Sequence, residues 1–259
     1  MGVVRMLWED VFGGDWWKMA VPAVLFALQN NLIYVAARNL SVPVFQITFQ
    51  LKTVVTAITA VAMLGRRLTA VQWATLVSLG LGVATMQLGA IHAKAKEHGA
   101  HPAASTESMN YVAGISAVLV SCFSSAIAAT YFELVIKRQP PASLWVRNIQ
   151  LSLFSSVIGL VVVLFQASHH WYDPVVRAGE GFFEGFSGNP MAWAVIFLQT
   201  VGGLLIAVAI KHADNIAKGF ALSISIVFTF LLSVILFNFE LSTPSVLGAT
   251  VVVASTLLF

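Results

Sequence analysis

Charged residues are scarce in this sequence of 259 residues. Aspartate, glutamate, lysine and arginine make up 10% of the chain, whereas hydrophobic residues make up 58% and the mean hydropathy is +0.86. Soluble domains carry roughly 25% charged residues, so this chain has too little charge to cover a globule in water. The composition excludes a cytosolic enzyme and predicts an all-α integral membrane protein, because apolar runs cross bilayers as helices.

Cysteine and clustered basic residues are also nearly absent. Cys122 is the single cysteine and lies in an apolar run, which excludes an intramolecular disulfide or a thiolate metal site and favours packing. The net charge of +3 comes from 14 basic and 11 acidic residues without a dense basic patch, so we expect no nucleic-acid partner. Most histidines fall in two long loops without metal-ligand spacing, so we expect no metal or other cofactor.

Long apolar runs, in contrast, are abundant. A membrane-spanning helix needs about 20 residues, and eight runs reach or approach that length. We predict spans at about 19–37, 43–64, 70–91, 111–136, 144–166, 191–210, 219–239 and 244–259. The connections are short and polar except at 92–110 and 167–190, so the whole chain is predicted to be one transmembrane domain without a soluble part.

Lysine and arginine lie mostly on one side of these predicted spans. Cytosolic loops of membrane proteins are enriched in these residues. The side of the N-terminus carries Arg5, Lys18, Arg66, Arg67, Lys137, Arg138, Arg147, Lys211 and Lys218. The other side carries only Arg38, Lys94, Lys96 and Arg177. The N-terminus is therefore predicted to be cytosolic and the 92–110 loop to be lumenal.

Lys52 falls inside the second predicted span. A lysine near the centre of a span costs at least about 2.5–3.5 kcal/mol on insertion scales, which makes it a functional-site hypothesis. Helical spacing places Phe45, Thr48 and Phe49 on the face of Lys52, so a cation and two aromatic rings would line one cavity. The alternative is that Lys52 snorkels or pairs internally, but its span has no acidic residue.

Amide side chains interrupt two other spans. Gln29, Asn30 and Asn31 lie at the centre of the first span, where they must contact either a ligand or neighbouring helices because hydrocarbon contains no water. Gln199 lies in the sixth span, shortly before a Gly-Gly pair at 202–203. Glycine-bearing interruptions near the midplane are typical of transporter sites, and close helix packing is the alternative.

Lys218 is a second candidate ligand for an anion. It is predicted at the start of the seventh span, where the helix dipole and free N–H groups favour a phosphate. Asp214 is three residues from Lys211 and four from Lys218, a spacing that also predicts ordinary ion pairs. Lys52 and Lys218 are five spans apart, and five-helix repeats would lie inverted in the membrane, as in a ten-helix parent.

Several blocks of sequence make a resemblance recognisable. They are FGGDWWK at 12–18, QNNLIYVAA at 29–37, FQITFQLK at 45–52, YFE at 131–133, SLWVRNIQ at 143–150 and ADNIAKGF at 213–220. With these blocks the chain resembles the nucleotide-sugar transporters of the drug/metabolite transporter superfamily, in particular fungal Golgi UDP-galactose transporters. The resemblance extends over essentially the whole chain, which would begin at the third of the family's ten helices and end inside the tenth.

The resemblance implies a fold, a reaction and a site. It implies a 5+5 inverted-repeat bundle that imports a UDP-sugar, UDP-galactose first, into the Golgi lumen in exchange for UMP. Lys52 and Lys218 would bind the phosphates. The residues around base, ribose and sugar would be Phe26, Gln29, Asn30, Phe45, Phe49 and Gln199. Phenylalanine at 26, 45 and 49 replaces the tyrosine usual in the family, which keeps ring stacking and loses a hydroxyl.

Other interpretations stay open at this stage. The sugar could instead be N-acetylglucosamine, because sugars that differ at a few groups are discriminated by pocket shape. The chain could be an inactive truncated paralogue that acts as a partner subunit, and homo-oligomers or association with a glycosyltransferase are possible. A membrane-embedded enzyme is the least favoured alternative, because its main candidate acid, Glu133, is placed to form an ion pair with Lys137.

Overall fold

The computed structural model describes residue 9 and residues 11–97, 110–138, 143–168, 190–237 and 242–259. Within these ranges the chain is helical and has no strand, which confirms the all-α class. A 3₁₀ turn at Trp16–Met19 precedes nine α-helices. They are α1 (Ala20–Asn39), α2 (Val42–Phe49), α3 (Leu51–Leu64), α4 (Ala70–Glu97), α5 (Tyr111–Arg138), α6 (Leu144–Ser168), α7 (Pro190–His212), α8 (Asn215–Phe237) and α9 (Thr243–Leu258).

Seven segments of the described ranges are long and apolar enough to cross a membrane. They correspond to the first seven predicted spans, with α2 and α3 together forming the second. The eighth run forms α9, which at 16 residues is shorter than a typical span. The loops predicted at 92–110 and 167–190 lie largely outside the described residues, although α4 continues to Glu97 and so occupies the start of the first.

The second predicted span is broken at Gln50, between α2 and α3. The N–H of Gln50 bonds to the carbonyl of Ile47 at 3.2 Å, and the N–H of Thr53 bonds to the carbonyl of Gln50 at 3.1 Å. These i to i−3 bonds are the tight geometry of a 3₁₀ turn. Thr48 Oγ1 also donates to the Val44 carbonyl at 2.8 Å, a contact that bends helices. The span predicted at 43–64 is thus formed by two helices joined at a tight turn.

The most extensive helix contacts are those of α1 with α5 and of α4 with α9. The second pair approaches closely through glycine, because a Cβ on Gly248 would clash with the backbone nitrogen of Met86 and lie 2.6 Å from the carbonyl of Gly82. The predicted repeat would relate α3 to α8 and α4 to α9, and both pairs are in contact. Such contacts are expected of helices around a two-fold axis, and the inverted repeat itself stays a prediction.

The two ends of the bundle can be named by their residues. Asn39, at the end of α1, accepts a hydrogen bond from the N–H of Asn110, just before α5, at 3.1 Å through its Oδ1. Because α1 and α5 are antiparallel, the first residues of α1 lie at the other end, with the last residues of α5. That other end also holds Arg66 and the turn between α7 and α8, which are joined by ion pairs. We refer to the two as the Asn39 end and the Arg66 end.

Candidate functional site

The predicted face of the second span is formed despite the break at Gln50. The rings of Phe45 and Phe49 stack with centroids 5.5 Å apart and an interplanar angle of 16°. Nζ of Lys52 lies 5.4 Å from the centroid of Phe49, within the range of a cation–π contact. Both rings pack on an apolar cluster of α1 and α5 that includes the buried Cys122. A cation and two stacked rings therefore share one surface.

Lys218 on α8 approaches Lys52 on α3. The two helices pack against each other, and the positive charge of Lys52 acts repulsively on Lys218. Both side chains are half-buried. Within the described ranges, neither lysine forms an ion pair with a carboxylate. Two partly desolvated cations thus lie within electrostatic range of each other and neither forms a described ion pair, an arrangement that favours an anion.

Helix α1 presents the predicted amides on different surfaces. Phe26 is half-buried, Gln29 packs towards α5, and Asn30 is exposed. The carbonyl of Gln29 accepts a hydrogen bond from Ser121 Oγ at 3.5 Å, whereas its side-chain Oε1 is buried without a partner. Asn31 donates to a carbonyl one turn back in its own helix, at 2.8 Å. Gln29 is the amide whose environment leaves an acceptor free for a ligand.

A cavity of about 300 Å³ between α6 and α7 contains a polar group that the sequence analysis missed. It is lined by Trp145, Asn148, Ile149, Ser152, Leu153, Ser156 and Leu204. Nδ2 of Asn148 is buried and has no hydrogen-bond partner, a state that costs about 1–3 kcal/mol. Helix α1 packs on α6, so Asn148 and Gln29 lie on neighbouring helices. In the sequence, the one signal for Asn148 is its position in the block SLWVRNIQ at 143–150, which carries the family resemblance.

At the Arg66 end, in contrast, a buried carboxylate is paired with two cations. The side chain of Glu133 on α5 is 1% exposed and accepts hydrogen bonds from Lys137 at 2.9 Å and from Arg66 Nη2 at 3.3 Å. It also accepts from the backbone N–H of Asn215 at 3.0 Å and from Asn215 Nδ2 at 2.8 Å. The predicted ion pair of Glu133 with Lys137 is confirmed. These four bonds satisfy a buried carboxylate that would otherwise be costly.

Asp214 connects this network to the start of α8. Its Oδ2 accepts from Arg66 Nη1 at 2.5 Å and its Oδ1 from the N–H of Ala217 at 2.7 Å, which makes Asp214 the N-cap of α8. Burial raises the pKa of the Asp214 carboxyl, but the Ala217 N–H and the Arg66 guanidinium outweigh it and hold the pKa below its ordinary value. Asp214 is therefore an anion that stabilises both contacts.

A second network joins the N-terminal segment to α6 at the same end. Arg147, buried at the start of α6, donates to Asp15 at 2.8 Å and to Gln150 at 3.2 Å. Lys18 contacts the same aspartate at 3.2 Å. Burial raises the pKa of Asp15, but the hydrogen bonds and charges of Arg147 and Lys18 outweigh it and hold the pKa below its ordinary value. This network fixes the segment that precedes α1.

Comparison of the sequence with known proteins identifies the family of the chain. The profile of the nucleotide-sugar transporter family matches residues 2–259. The chain belongs to the nucleotide-sugar transporter family. It is thus a member of a family of membrane transporters and not of an enzyme family, as the sequence analysis expected.

Individual relatives of this transporter carry different sugars in their names. A UDP-galactose transporter of Schizosaccharomyces pombe is 43% identical over 256 residues, which are 99% of this chain and 68% of that protein. The UDP-galactose translocator of Mus musculus is 42% identical over 95% of this chain and 58% of its own length. A UDP-N-acetylglucosamine transporter of Rattus norvegicus is 42% identical over 93% and 70%. The chain thus spans 58 to 70% of these relatives.

Two expectations for the transporter's residues 211–220 are wrong. Asp214 does not pair with Lys211 or Lys218, because it caps α8 and bonds to Arg66, 148 residues away in sequence. Helix α8, which corresponds to the seventh predicted span, begins at Asn215 rather than at 219, and three of its first four N–H groups are already used. The N–H of Asn215 bonds to a carboxylate, that of Ala217 to the cap, and that of Lys218 to the Asp214 carbonyl at 3.0 Å. A phosphate would therefore meet the side chain of Lys218, not a free helix terminus.

The sixth span of the transporter is not interrupted. Helix α7 is continuous from Pro190 to His212, and a Cβ on Gly202 or Gly203 would meet no atom within 4 Å. The glycines therefore neither break α7 nor mediate close packing within the described residues. Gln199 is exposed, and its side chain has no hydrogen bond to another described residue. The structure thus brings Lys52, Phe45 and Phe49 together, places Lys218 within electrostatic range of Lys52, and leaves Gln199 outside that group.

Proposed function

We propose that the protein exchanges a UDP-sugar for UMP across the Golgi membrane, with UDP-galactose as the imported sugar. The observation that supports this most is that Lys52 and Lys218 are half-buried on two contacting helices and that neither forms an ion pair with a described carboxylate. A diphosphate carries the charge that two such cations lack, and burial strengthens the attraction. Antiport follows from the same chemistry, because UMP also supplies a phosphate and can neutralise the lysines on the return step.

The remaining candidate residues suit the uncharged parts of the ligand. The stacked pair Phe45 and Phe49 offers a ring surface for uracil, and Phe26 is a further ring on α1. Gln29 and Asn148 each offer a buried, unpaired amide atom for hydroxyl or carbonyl groups of ribose and sugar. The exposed amides of Asn30 and Gln199 remain candidates for the same contacts. Stacking accepts any base, so we assign base and sugar selection to the amides.

The orientation in the membrane is part of the proposal. Nine of the basic residues counted from the sequence belong to the side of the N-terminus, so the Arg66 end would be cytosolic and the Asn39 end lumenal. A cysteine placed at Ser105, which lies outside the described residues, should react with an impermeant maleimide only from the lumenal side. Reaction from the cytosolic side of intact vesicles would reverse the orientation.

Uptake measurements decide the substrate. Proteoliposomes loaded with UMP and containing the protein should accumulate labelled UDP-galactose faster than UDP-N-acetylglucosamine, UDP-glucose or a GDP-sugar. Preference for UDP-N-acetylglucosamine would identify the alternative carried by the Rattus norvegicus relative. Absence of all uptake by a folded protein would favour the inactive subunit, and co-purification with a glycosyltransferase or a second copy would then identify its partner.

A further inference from the structure

The ion pairs at the Arg66 end consist of a fixed part and an accessible part. Glu133 and Asn215 are 1% and 5% exposed, and Asn215 Nδ2 also donates to the Ala129 carbonyl at 2.8 Å. These contacts lock α5 to α8 at a helix boundary. The side chain of Arg66, in contrast, is 32% exposed and comes from the non-helical residues 65–69. Arg66 can therefore leave the network without unpacking a helix.

The chain holds Arg66 in position by a defined turn. Gly65 ends α3 in the left-handed conformation, with φ of 69° and ψ of 25°. Glycine adopts this conformation without the steric cost that a side chain would add. The turn directs the next residue, Arg66, across to Asp214 and Glu133.

Arg66 connects the two helices that carry the site lysines. It follows α3, which carries Lys52, and it bonds to the cap of α8, which carries Lys218. At 1.5 Å per residue, Lys52 lies roughly 20 Å along α3 from Arg66, and Lys218 lies roughly 6 Å along α8 from Asp214. A movement that opens the bundle at this end by separating α3 from α8 must break the pairs of Arg66 with Asp214 and with Glu133, whereas Glu133 and Asn215 stay together.

We propose that Arg66 is a releasable latch, bonded to Asp214 when the ligand site faces the Asn39 end and free when the site faces the Arg66 end. The proposal rests on the proposed function, because a carrier must expose one site to each side in turn. The latch biases this equilibrium towards the state in which the Arg66 end is closed. Loss of the latch shifts the population towards the state that is open there.

A labelling experiment tests the latch without any substrate. Asn215, Gly219 and Ser223 share one face of α8, and Ser223 is 8% exposed, two turns beyond the fixed part. In a Cys122→Ala background, Ser223→Cys supplies a single reporter thiol. We expect Arg66→Gln to raise the rate at which this thiol reacts with an impermeant maleimide added from the Arg66 end. The increase should be about fivefold, because the loss of a partly exposed ion pair shifts a two-state population by about that factor.

Matched variants separate the latch from a general effect of charge. Arg67→Gln removes the neighbouring exposed arginine and should leave the rate unchanged. Asp214→Asn removes one of the two ion pairs of Arg66 and keeps an efficient helix cap, so it should raise the rate, by no more than Arg66→Gln does. The double variant should be no faster than Arg66→Gln alone, because that variant has already lost the contact with Asp214. Equal rates in Arg66→Gln and the parent, or equal increases in Arg66→Gln and Arg67→Gln, would overturn the proposal.

Exchange kinetics distinguish the latch from a permanent structural brace. If Arg66 is a latch, Arg66→Gln lowers the half-saturating concentration of UMP at the Arg66 end and raises it at the Asn39 end, because affinity scales with the fraction of competent state. A brace would change both sides in the same direction and would lower the melting temperature. If neither UMP nor UDP-galactose is exchanged, the proposed function fails while the labelling result still decides the latch.

Discussion

Two groups of charged residues in this chain meet opposite conditions. At the Arg66 end, Arg66, Glu133, Lys137 and Asp214 form a network in which each charge has a partner of opposite sign. Along α3 and α8, Lys52 and Lys218 lie within electrostatic range of each other, and neither forms an ion pair with a described carboxylate. The first arrangement stabilises the empty protein, whereas the second lowers its stability. A chain with few charges thus uses one group to hold helices together and keeps the other free for an anion.

The largest expected effect comes from removing one of the unpaired lysines. Lys52→Ala or Lys218→Ala should reduce UMP-driven uptake of the UDP-sugar by more than about 100-fold, because each leaves a buried diphosphate charge without its partner. The melting temperature should stay the same or rise, since an uncompensated cation is removed from the membrane. Uptake by the double variant should be scarcely lower than by either single one.

Lys211→Ala is the matched control for that experiment. Lys211 is exposed at the end of α7 and has no ion-pair partner among the described residues, so its loss should leave uptake near the parental rate. Wild-type exchange by Lys52→Ala would contradict the ligand site. A loss of folding rather than of transport would show that the lysines are structural after all.

The paired group should show the reverse pattern. Glu133→Gln leaves Lys137 and Arg66 without their buried acceptor charge, and breaking a buried pair from one side typically costs about 3–5 kcal/mol. We expect a clear fall in melting temperature and in surface-corrected expression, measured by thermal unfolding in detergent. Protein that does reach the membrane should keep its half-saturating UDP-sugar concentration within about twofold, since Glu133 is not proposed to touch the ligand.

The contrast between the groups could be only half predicted from the sequence. Lys52 was identifiable because the free-energy cost of a lysine inside a membrane span depends on that residue alone. The helix face that it shares with Phe45 and Phe49 follows from local helical spacing. The partner of Asp214 was not identifiable, because Arg66 lies 148 residues away and two nearer lysines satisfy the spacing rule for ion pairs. Local spacing gives candidates for a pair, and only the packing of α3 on α8 decides among them.

Interruptions of the helices show the same contrast between what local sequence indicates and what helix packing decides. The Gly-Gly pair at 202–203 suggested an interruption, yet α7 is continuous, because glycine permits a bend without requiring one. The break at Gln50 has no proline or glycine to announce it. There the side chain of Gln50 contacts Gln87 on α4 at 3.4 Å, and the tight turn is part of a helix contact that the sequence alone does not reveal.

A smaller effect is expected where the backbone positions the paired group. Gly65→Ala forces a side chain into the left-handed conformation, which costs about 1–2 kcal/mol, and displaces Arg66 from Asp214. The melting temperature should fall and the Ser223→Cys reporter should react faster, as in Arg66→Gln. Gly202→Ala is the control, because its Cβ meets open space in a helix, where alanine is favoured by up to about 1 kcal/mol. A faster reporter in Gly202→Ala would show that α7 affects this end by another route.

The smallest effect should be that of pH on the paired group. The charges that face one another there are Arg66, Lys137, Glu133 and Asp214, and the pKa of Asp214 lies below its ordinary value of 3.8. A carboxyl with a lowered pKa contributes stability above its ordinary pKa and loses it only as pH falls through the lowered one. Between about pH 7.5 and 5.5 the latch should therefore not weaken, and the ratio of reporter labelling in Arg66→Gln to that in the parent should be constant. Taking this ratio at each pH cancels the titration of the reporter thiol itself.

The exposed His212, which takes no part in the hydrogen bonds of the network, is removed as a control by His212→Gln. A ratio that falls towards one at pH 5.5 in both backgrounds would mean that Asp214 loses its charge there, and that the ion pair with Arg66 is weaker than its geometry indicates.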